Sequence, residues 1–261
     1  MPEGDTVFQA AKRQNAALAG LVLTGFELRV PTFATADLTG ETIHEVISRG
    51  KHLVHRIGDW SLHSHLKMEG TWRVVPSGGR WPKPAFQARA VLRTASVTAI
   101  GFELGIVELI PTADEHSVVG HLGPDLLDPS WGAEHAAEAV RRLQQHPEVP
   151  VFSAVLEQRN LAGVGNVYAN ELCFLRGVKP TTPIGDTDAA AVVDLARRLL
   201  LANRDRHPRI TTGDTRAGRR TWVYGRAGQP CRRCGTTLRG GELGARTGQE
   251  RTITWCERCQ V

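Results

Sequence analysis

The sequence predicts a multidomain α and β protein: an N-terminal helix with a β-rich module, a helical module, and a C-terminal zinc finger. Three observations carry that expectation. A helical run opens the chain, a strand-rich texture follows to about residue 109, and four helical runs then lead to paired C-x-x-C knuckles. With 261 residues the chain is long enough to bury more than one core.

Each element has a local reason. Thr6-x-x-Gln9 is a capping-box pattern, and the run VFQAAKRQNAALA continues helically until Gly20 supplies a stop. From Val22 to about Leu109, short β-rich runs (LVLTGFELRV, HLVHRIG, WSLHSHL, TWRVV) are broken by Gly, Pro and Asp, which predicts a sandwich or a barrel. The stretch PSGGRWPKPAF reads as a loop. GHLGPDLLDPSW is rich in Gly, Pro and Asp and marks a boundary. Beyond it AEHAAEAVRRLQQ, PVFSAVLEQ, NVYANELCFL and DAAAVVDLARRLLLANRD predict four helices. The expected domains are 1–119 (helix and β-rich module), a linker at 120–130, 131–220 (helices) and 221–261 (zinc finger).

The net charge of +5 is modest but unevenly spread. From Arg197 to Val261 there are 15 basic and 5 acidic residues, whereas residues 1–196 carry 17 basic and 22 acidic ones. A basic C-terminal third suits a polyanionic partner, most simply nucleic acid. No apolar run is long enough to span a bilayer, and the start lacks the profile of a signal peptide, so the expected location is the cytoplasm.

Four of the five cysteines form Cys231-x-x-Cys234 and Cys256-x-x-Cys259, separated by 21 residues. Paired knuckles of this kind place four thiolates around one structural zinc ion. The intervening stretch is slightly long for a ribbon, which predicts an extended hairpin tip around Gly240–Gly248. Cys173, in the apolar context ELCFL, reads as core.

Four further pieces bear on chemistry. The first is MPEG: a compact second residue favours removal of the initiator, leaving Pro2 as a free secondary amine beside Glu3. An α-amine titrates near about 7.7–8.0, so roughly a third is neutral at pH 7.5, against about a tenth of a per cent of an ordinary Lys. Its attack on a sugar carbon gives an iminium, an electron sink suited to β-elimination, with Glu3 placed to move protons.

The second piece is RGKHLVHRIGDWSLHSHLKMEG, in which Lys51 follows a turn; His63 and His65 alternate onto one strand face and read as strand histidines rather than a metal pair, since no third ligand is evident. The third is LAGVGNVYANE, whose glycines let backbone amides and Asn166 face an anion at a helix start. The fourth is Arg251 in QERTITWC, on a strand of the expected zinc hairpin.

Together MPEG, RGK with a following strand and S-H, G-V-G-N-x-Y-A-x-E and a terminal zinc finger resemble the formamidopyrimidine-DNA glycosylase and endonuclease VIII family of base-excision repair enzymes. The resemblance covers essentially the whole chain and leans toward the endonuclease VIII branch. It implies an N-terminal helix with a β-sandwich, a helix–two-turns–helix domain and a zinc finger, with damaged DNA held in a cleft between the halves by a monomer associated with the nucleoid. It implies a bifunctional glycosylase and AP lyase that removes oxidised bases, expected to be pyrimidines, and breaks the strand by β,δ-elimination. Pro2 would be the nucleophile at C1′ and Glu3 the acid/base, while Lys51 would contact the phosphate beside the lesion and assist strand cleavage. Asn166 and Arg251 would grip phosphates around the extruded nucleotide.

Two departures from the family pattern stand out. The family's acidic sixth residue is Thr6 here, with Asp5 one place earlier and Thr6 free to act as helix cap. The void-filling segment reads Leu66-Lys67-Met68-Glu69-Gly70 rather than Gln-Leu-Tyr; Met68 suits an apolar wedge, and Lys67 would face the widowed base or stay at the rim. Two other readings compete: a non-catalytic zinc-ribbon DNA-binding protein, and a glycosylase preferring 8-oxoguanine or formamidopyrimidine. Mere binding needs no free N-terminal amine, which argues against the first.

Overall fold

The computed structural model describes residues 2–244 and 250–261, and the chain divides into two compact units, Met1–His121 and Leu122–Val261. In the first unit α1 (Gly4–Leu18) is followed by eight strands. β1 (Leu23–Leu28), β6 (Ala88–Thr94), β7 (Val97–Phe102) and β5 (Thr71–Pro76) form one antiparallel sheet in that order. β2 (Ile43–Arg49), β3 (His52–Ile57), β4 (Trp60–His65) and β8 (Ile106–Pro111) form the other, so the strand-rich region is a sandwich. A short helix, α2 (His116–Val119), closes the unit. Val7, Ala10, Ala11 and Leu18 of α1 join Leu28, Leu53, Ile57, Leu62 and Leu92 in the main core. Burial of such side chains contributes roughly 1.5–3 kcal/mol each.

The helix starts earlier than the capping box predicts. Glu3 is the N-cap, its carbonyl accepting the N–H groups of Thr6 (2.9 Å) and Val7 (3.0 Å). Thr6 therefore lies within the first turn and is not the cap. Its N–H and its hydroxyl donate to Asp5 Oδ1 at 2.7 and 3.3 Å, so the short Asp side chain organises this turn locally. The helix ends before Gly20, as expected.

In the second unit the four helical runs appear as α3 (Ala133–Leu143), α4 (Val151–Leu156), α5 (Asn166–Arg176) and α6 (Ala189–Asn203). α3 packs on α6, and α5 packs on both α4 and α6. The chain ends in an antiparallel hairpin of β9 (Arg239–Leu243) and β10 (Arg251–Trp255), with Arg251 opposite Leu243 and Trp255 opposite Arg239. Of the tip expected around 240–248, residues 240–243 belong to β9, and 245–248 lie outside the described residues. Phe174 of α5, Val223, Leu238, Cys231 and Cys256 share a small core that seats the hairpin on α5. Among the described residues, no helix is long and apolar enough to cross a membrane.

Candidate functional site

Two anchors orient α1 on the first unit. Asn15 Oδ1 accepts the N–H of Val46 at 2.8 Å, and the N–H of Gly20 donates to the carbonyl of Ile43 at 2.8 Å. Moving back along the helix therefore moves forward along β2. From Asn15 to Gly4 is about 17 Å of helix, and from Val46 to Lys51 is about 17 Å of strand. The helix start with Pro2 and Glu3 and the turn with Lys51 accordingly lie at the same end of the unit. Pro2 is partly buried and Glu3 fully buried, while Lys51 is partly exposed.

The turn joining β2 to β3 is Gly50-Lys51, with Arg49 and His52 paired across it. Gly50 has φ +57°, a left-handed value that glycine adopts without penalty. Because His52 also pairs with His65 at the end of β4, the segment after β4 emerges beside this turn. That segment closes tightly: the Gly70 N–H donates to the Leu66 carbonyl at 2.8 Å, and a Cβ on Gly70 would overlap Leu66 backbone. Lys67 sits at φ +52°, a conformation that L side chains seldom adopt. Its stem lies over Gly105, where a Cβ would overlap it. Met68 projects instead, 59% exposed, an unusual placement for a large apolar side chain.

Behind this end is a group of histidines that the sequence revealed only in part. His63 and His65 do share a strand face. His52 lies side by side with His63, ring centroids 5.0 Å and planes 20° apart, and meets His65 edge-on at 5.0 Å and His121 at 5.9 Å. His63 Nδ1 lies 2.8 Å from Glu108 Oε2, and His63 Nε2 lies 2.8 Å from His52 Nδ1. Burial, together with His63, His65, His121 and Lys67, pushes the His52 imidazole down to about 3. Burial and the nearby Lys67 and Lys51 hold His65 at about 4. His63 is lowered by burial, partly opposed by Glu108. Among the described residues, the four paired cysteines form the group of three or more ligands placed to hold a metal.

In the second unit Asn166 is the first residue of α5, after an N-cap at Gly165, and is buried. Arg251 is exposed at the start of β10. One residue that sequence reasoning missed ties them to a common support. The fully buried Asn170 donates from Nδ2 to the carbonyls of Asn166 (2.8 Å) and Thr252 (3.1 Å), and its Oδ1 accepts the N–H of Thr254 at 2.7 Å. Its neighbour Glu171, also fully buried, accepts the N–H groups of Trp222, Val223 and Tyr224 at 2.8, 2.9 and 2.9 Å, and the Thr211 hydroxyl. Asn170 had no signal in the sequence beyond the helical pattern, and Glu171 had only its place at the end of G-V-G-N-x-Y-A-x-E, because every partner but Asn166 is distant along the chain.

The four paired cysteine sulfurs lie within 4.8 Å of one another, with Cys231 and Cys259 at 3.9 Å and Cys234 and Cys256 at 3.5 Å. Sulfurs bound to one tetrahedral zinc at about 2.3 Å would be about 3.8 Å apart, so the donor set fits that ion and not two disulfides. Gln260 pins the second knuckle: its Oε1 accepts the Cys256 N–H and its Nε2 donates to Val178 O, both at 2.8 Å. Cys173 is buried, which pushes its thiol up to about 12, as befits core. Part of the basic excess has structural work. Arg226 donates to Trp222 O and Pro230 O (2.8 Å), and Arg233 stacks on Phe174 at 4.5 Å.

Residues 1–103 match the formamidopyrimidine-DNA glycosylase N-terminal domain. Over its whole length the chain is 50% identical to the DNA-(apurinic or apyrimidinic site) lyase Nei2 of Mycolicibacterium smegmatis, covering 99% of that protein. It is 49% identical to endonuclease 8 2 of Mycobacterium bovis, with both chains covered completely. Its fold is that of the Lactococcus lactis Fpg in a complex with DNA containing an abasic site, with a TM-score of 0.80 at 22% identity over 99% of each chain. The sandwich, the helices after it and the terminal cysteine hairpin all belong to that fold.

Proposed function

From the premise that the chain belongs to the formamidopyrimidine-DNA glycosylase and endonuclease VIII family, we propose that Pro2 is the nucleophile with which it removes oxidised pyrimidines from DNA. Membership makes the protein a DNA glycosylase and AP lyase of base-excision repair. The observation that carries the finer reading is full-length identity of about half with proteins named endonuclease 8 2 and Nei2.

With Met1 removed, the secondary amine of Pro2 attacks C1′ of an extruded damaged nucleotide, and the glycosidic bond breaks. Opening of the sugar leaves an iminium, with Glu3 supplying and accepting the proton. Loss of the C2′ proton then expels the 3′ phosphate, and δ-elimination expels the 5′ phosphate. Lys51 holds the phosphate beside the lesion; Asn166 and Arg251 hold the flanking backbone. Met68 fills the gap left by the base, and Lys67 stays at its rim. The four thiolates of Cys231, Cys234, Cys256 and Cys259 hold one structural zinc, which fixes the hairpin that carries Arg251. The enzyme works as a monomer on damaged DNA at the nucleoid, in the cytoplasm.

Extruding a base costs a few kcal/mol of unstacking, least where the strand is already open. With one projecting wedge, single-stranded lesions should be cut at least competitively. An oligonucleotide panel tests this: 5-hydroxyuracil and thymine glycol should be excised well, and 8-oxoguanine opposite cytosine poorly. Excision of 8-oxoguanine from duplex exceeding that of 5-hydroxyuracil would contradict the pyrimidine assignment.

A further inference from the structure

We propose that Glu108, His63 and His52 form a hydrogen-bonded relay that converts His52 into a phosphate-binding donor when DNA arrives, with uptake of one proton. The inference rests on the reading of Lys51 as a phosphate contact, since His52 is the next residue and opens β3.

The tautomers follow from the contacts. A carboxylate only accepts, so His63 carries its proton on Nδ1, facing Glu108 Oε2 at 2.8 Å. His63 Nε2 is then a lone pair, and the 2.8 Å contact requires His52 to donate from Nδ1. His52 is left with a bare Nε2, which repels a phosphate oxygen. His65 is fixed the other way, because its Nδ1 accepts the Lys67 N–H at 2.9 Å.

One added proton reverses this arrangement without breaking a contact. The proton binds His52 Nε2, the His52 Nδ1 proton passes to His63 Nε2, and His63 becomes an imidazolium between Glu108 and His52. Nε2 of His52 is now N–H, and the new charge is stored on buried His63 against Glu108. His63 is 2% exposed, whereas the Glu108 side chain is 43% exposed, so the inner end of the relay reaches water.

The surroundings explain why the proton waits for an anion. His52 faces His63 and His65 on β4, Lys67 after it, and His121, with Arg49 opposite on β2 and Lys51 preceding it. These cations and imidazoles, with burial, disfavour protonation in the free protein. A phosphate offsets them. Its binding raises the proton affinity of the pair, so DNA affinity increases as pH falls from above the bound value toward the free one.

The experiment is titration calorimetry of the full-length protein with duplex DNA carrying a tetrahydrofuran abasic analogue, in two buffers of different ionisation enthalpy. At a pH between the free and bound values the wild type should take up close to one proton, and binding should tighten by up to about tenfold per unit fall in pH. Glu108→Gln still accepts from His63 but cannot balance an imidazolium, and should lose most of the uptake and the pH slope. Nitrogen NMR of the complex should show His52 Nε2 protonated. An unchanged uptake in Glu108→Gln, or a bare His52 Nε2 in the complex, would overturn the relay. A wild type that binds this analogue without proton uptake, yet is trapped by borohydride on DNA with a true abasic site, sinks the relay alone. A wild type that does not bind this DNA sinks the proposed function as well.

Discussion

Asn170 and Thr254 join the helix that begins with Asn166 to the strand that begins with Arg251. The Thr254 N–H donates to Asn170 Oδ1 at 2.7 Å, and Asn170 Nδ2 donates to Thr252 O at 3.1 Å, so both sides of Ile253 are fixed by one side chain. Arg251 precedes Thr252, and Asn166 lies one helical turn before Asn170. A rigid element thus supports both proposed phosphate ligands.

Asn170→Leu leaves the buried Thr254 N–H without that partner, an omission that costs about 1–3 kcal/mol. It should weaken binding to abasic-site DNA toward the level of Arg251→Ala while zinc is retained. Combining the two should be less than additive, because both act through Arg251. Normal binding by Asn170→Leu, read alongside zinc content, would show that the brace does not position Arg251.

Glu171 has a stabilising role. Glu171→Gln presents an amide NH₂ to backbone donors at Trp222, Val223 and Tyr224 that now face a carboxylate. The expected loss is about 2–3 kcal/mol, seen as a lower urea midpoint at unchanged slope. A midpoint equal to wild type would remove this role.

The zinc hairpin separates metal from binding. Cys256→Ala should release zinc and sharply weaken DNA binding while the first unit remains folded. Arg251→Ala should keep zinc, lose much of the affinity, and show a salt dependence shallower by about one phosphate contact. Metal content and salt titration distinguish the two outcomes.

His55 sets an acid limit on stability. It is fully buried, Nε2 lies 2.9 Å from Gln14 Oε1, and burial holds the ring at about 3. The unfolded chain binds the proton near about 6.5, so between these values it holds more protons than the folded one. Stability is therefore lost as pH falls from about 6.5, by up to about 1.4 kcal/mol per unit from this group. Urea unfolding of His55→Phe at several pH values should show a shallower acid decline, whatever its stability at pH 7. An identical slope would assign the decline to other groups.

Local signals served well where the element depends on its own residues. The four helices after residue 131, the strand-rich run and the C-x-x-C knuckles each carry their periodicity or spacing in the chain. The start of α1 was harder to read, because Thr6 and Gln9 form a plausible cap while the Glu3 carbonyl takes up the first turn. His63 and His65 were legible as one face, but His52 and Glu108 join them only through strand register. Asn170 was invisible for the same reason: Thr252 and Thr254 approach it only after the hairpin folds back on α5.

Borohydride trapping tests the central claim that the Pro2 amine is the nucleophile. The account predicts that protein with Met1 removed is captured covalently on DNA containing an abasic site, with the link mapped to Pro2. One extra residue ahead of Pro2 should abolish capture while DNA binding persists. Undiminished capture by the extended protein would contradict the account, because the covalent bond would then form elsewhere.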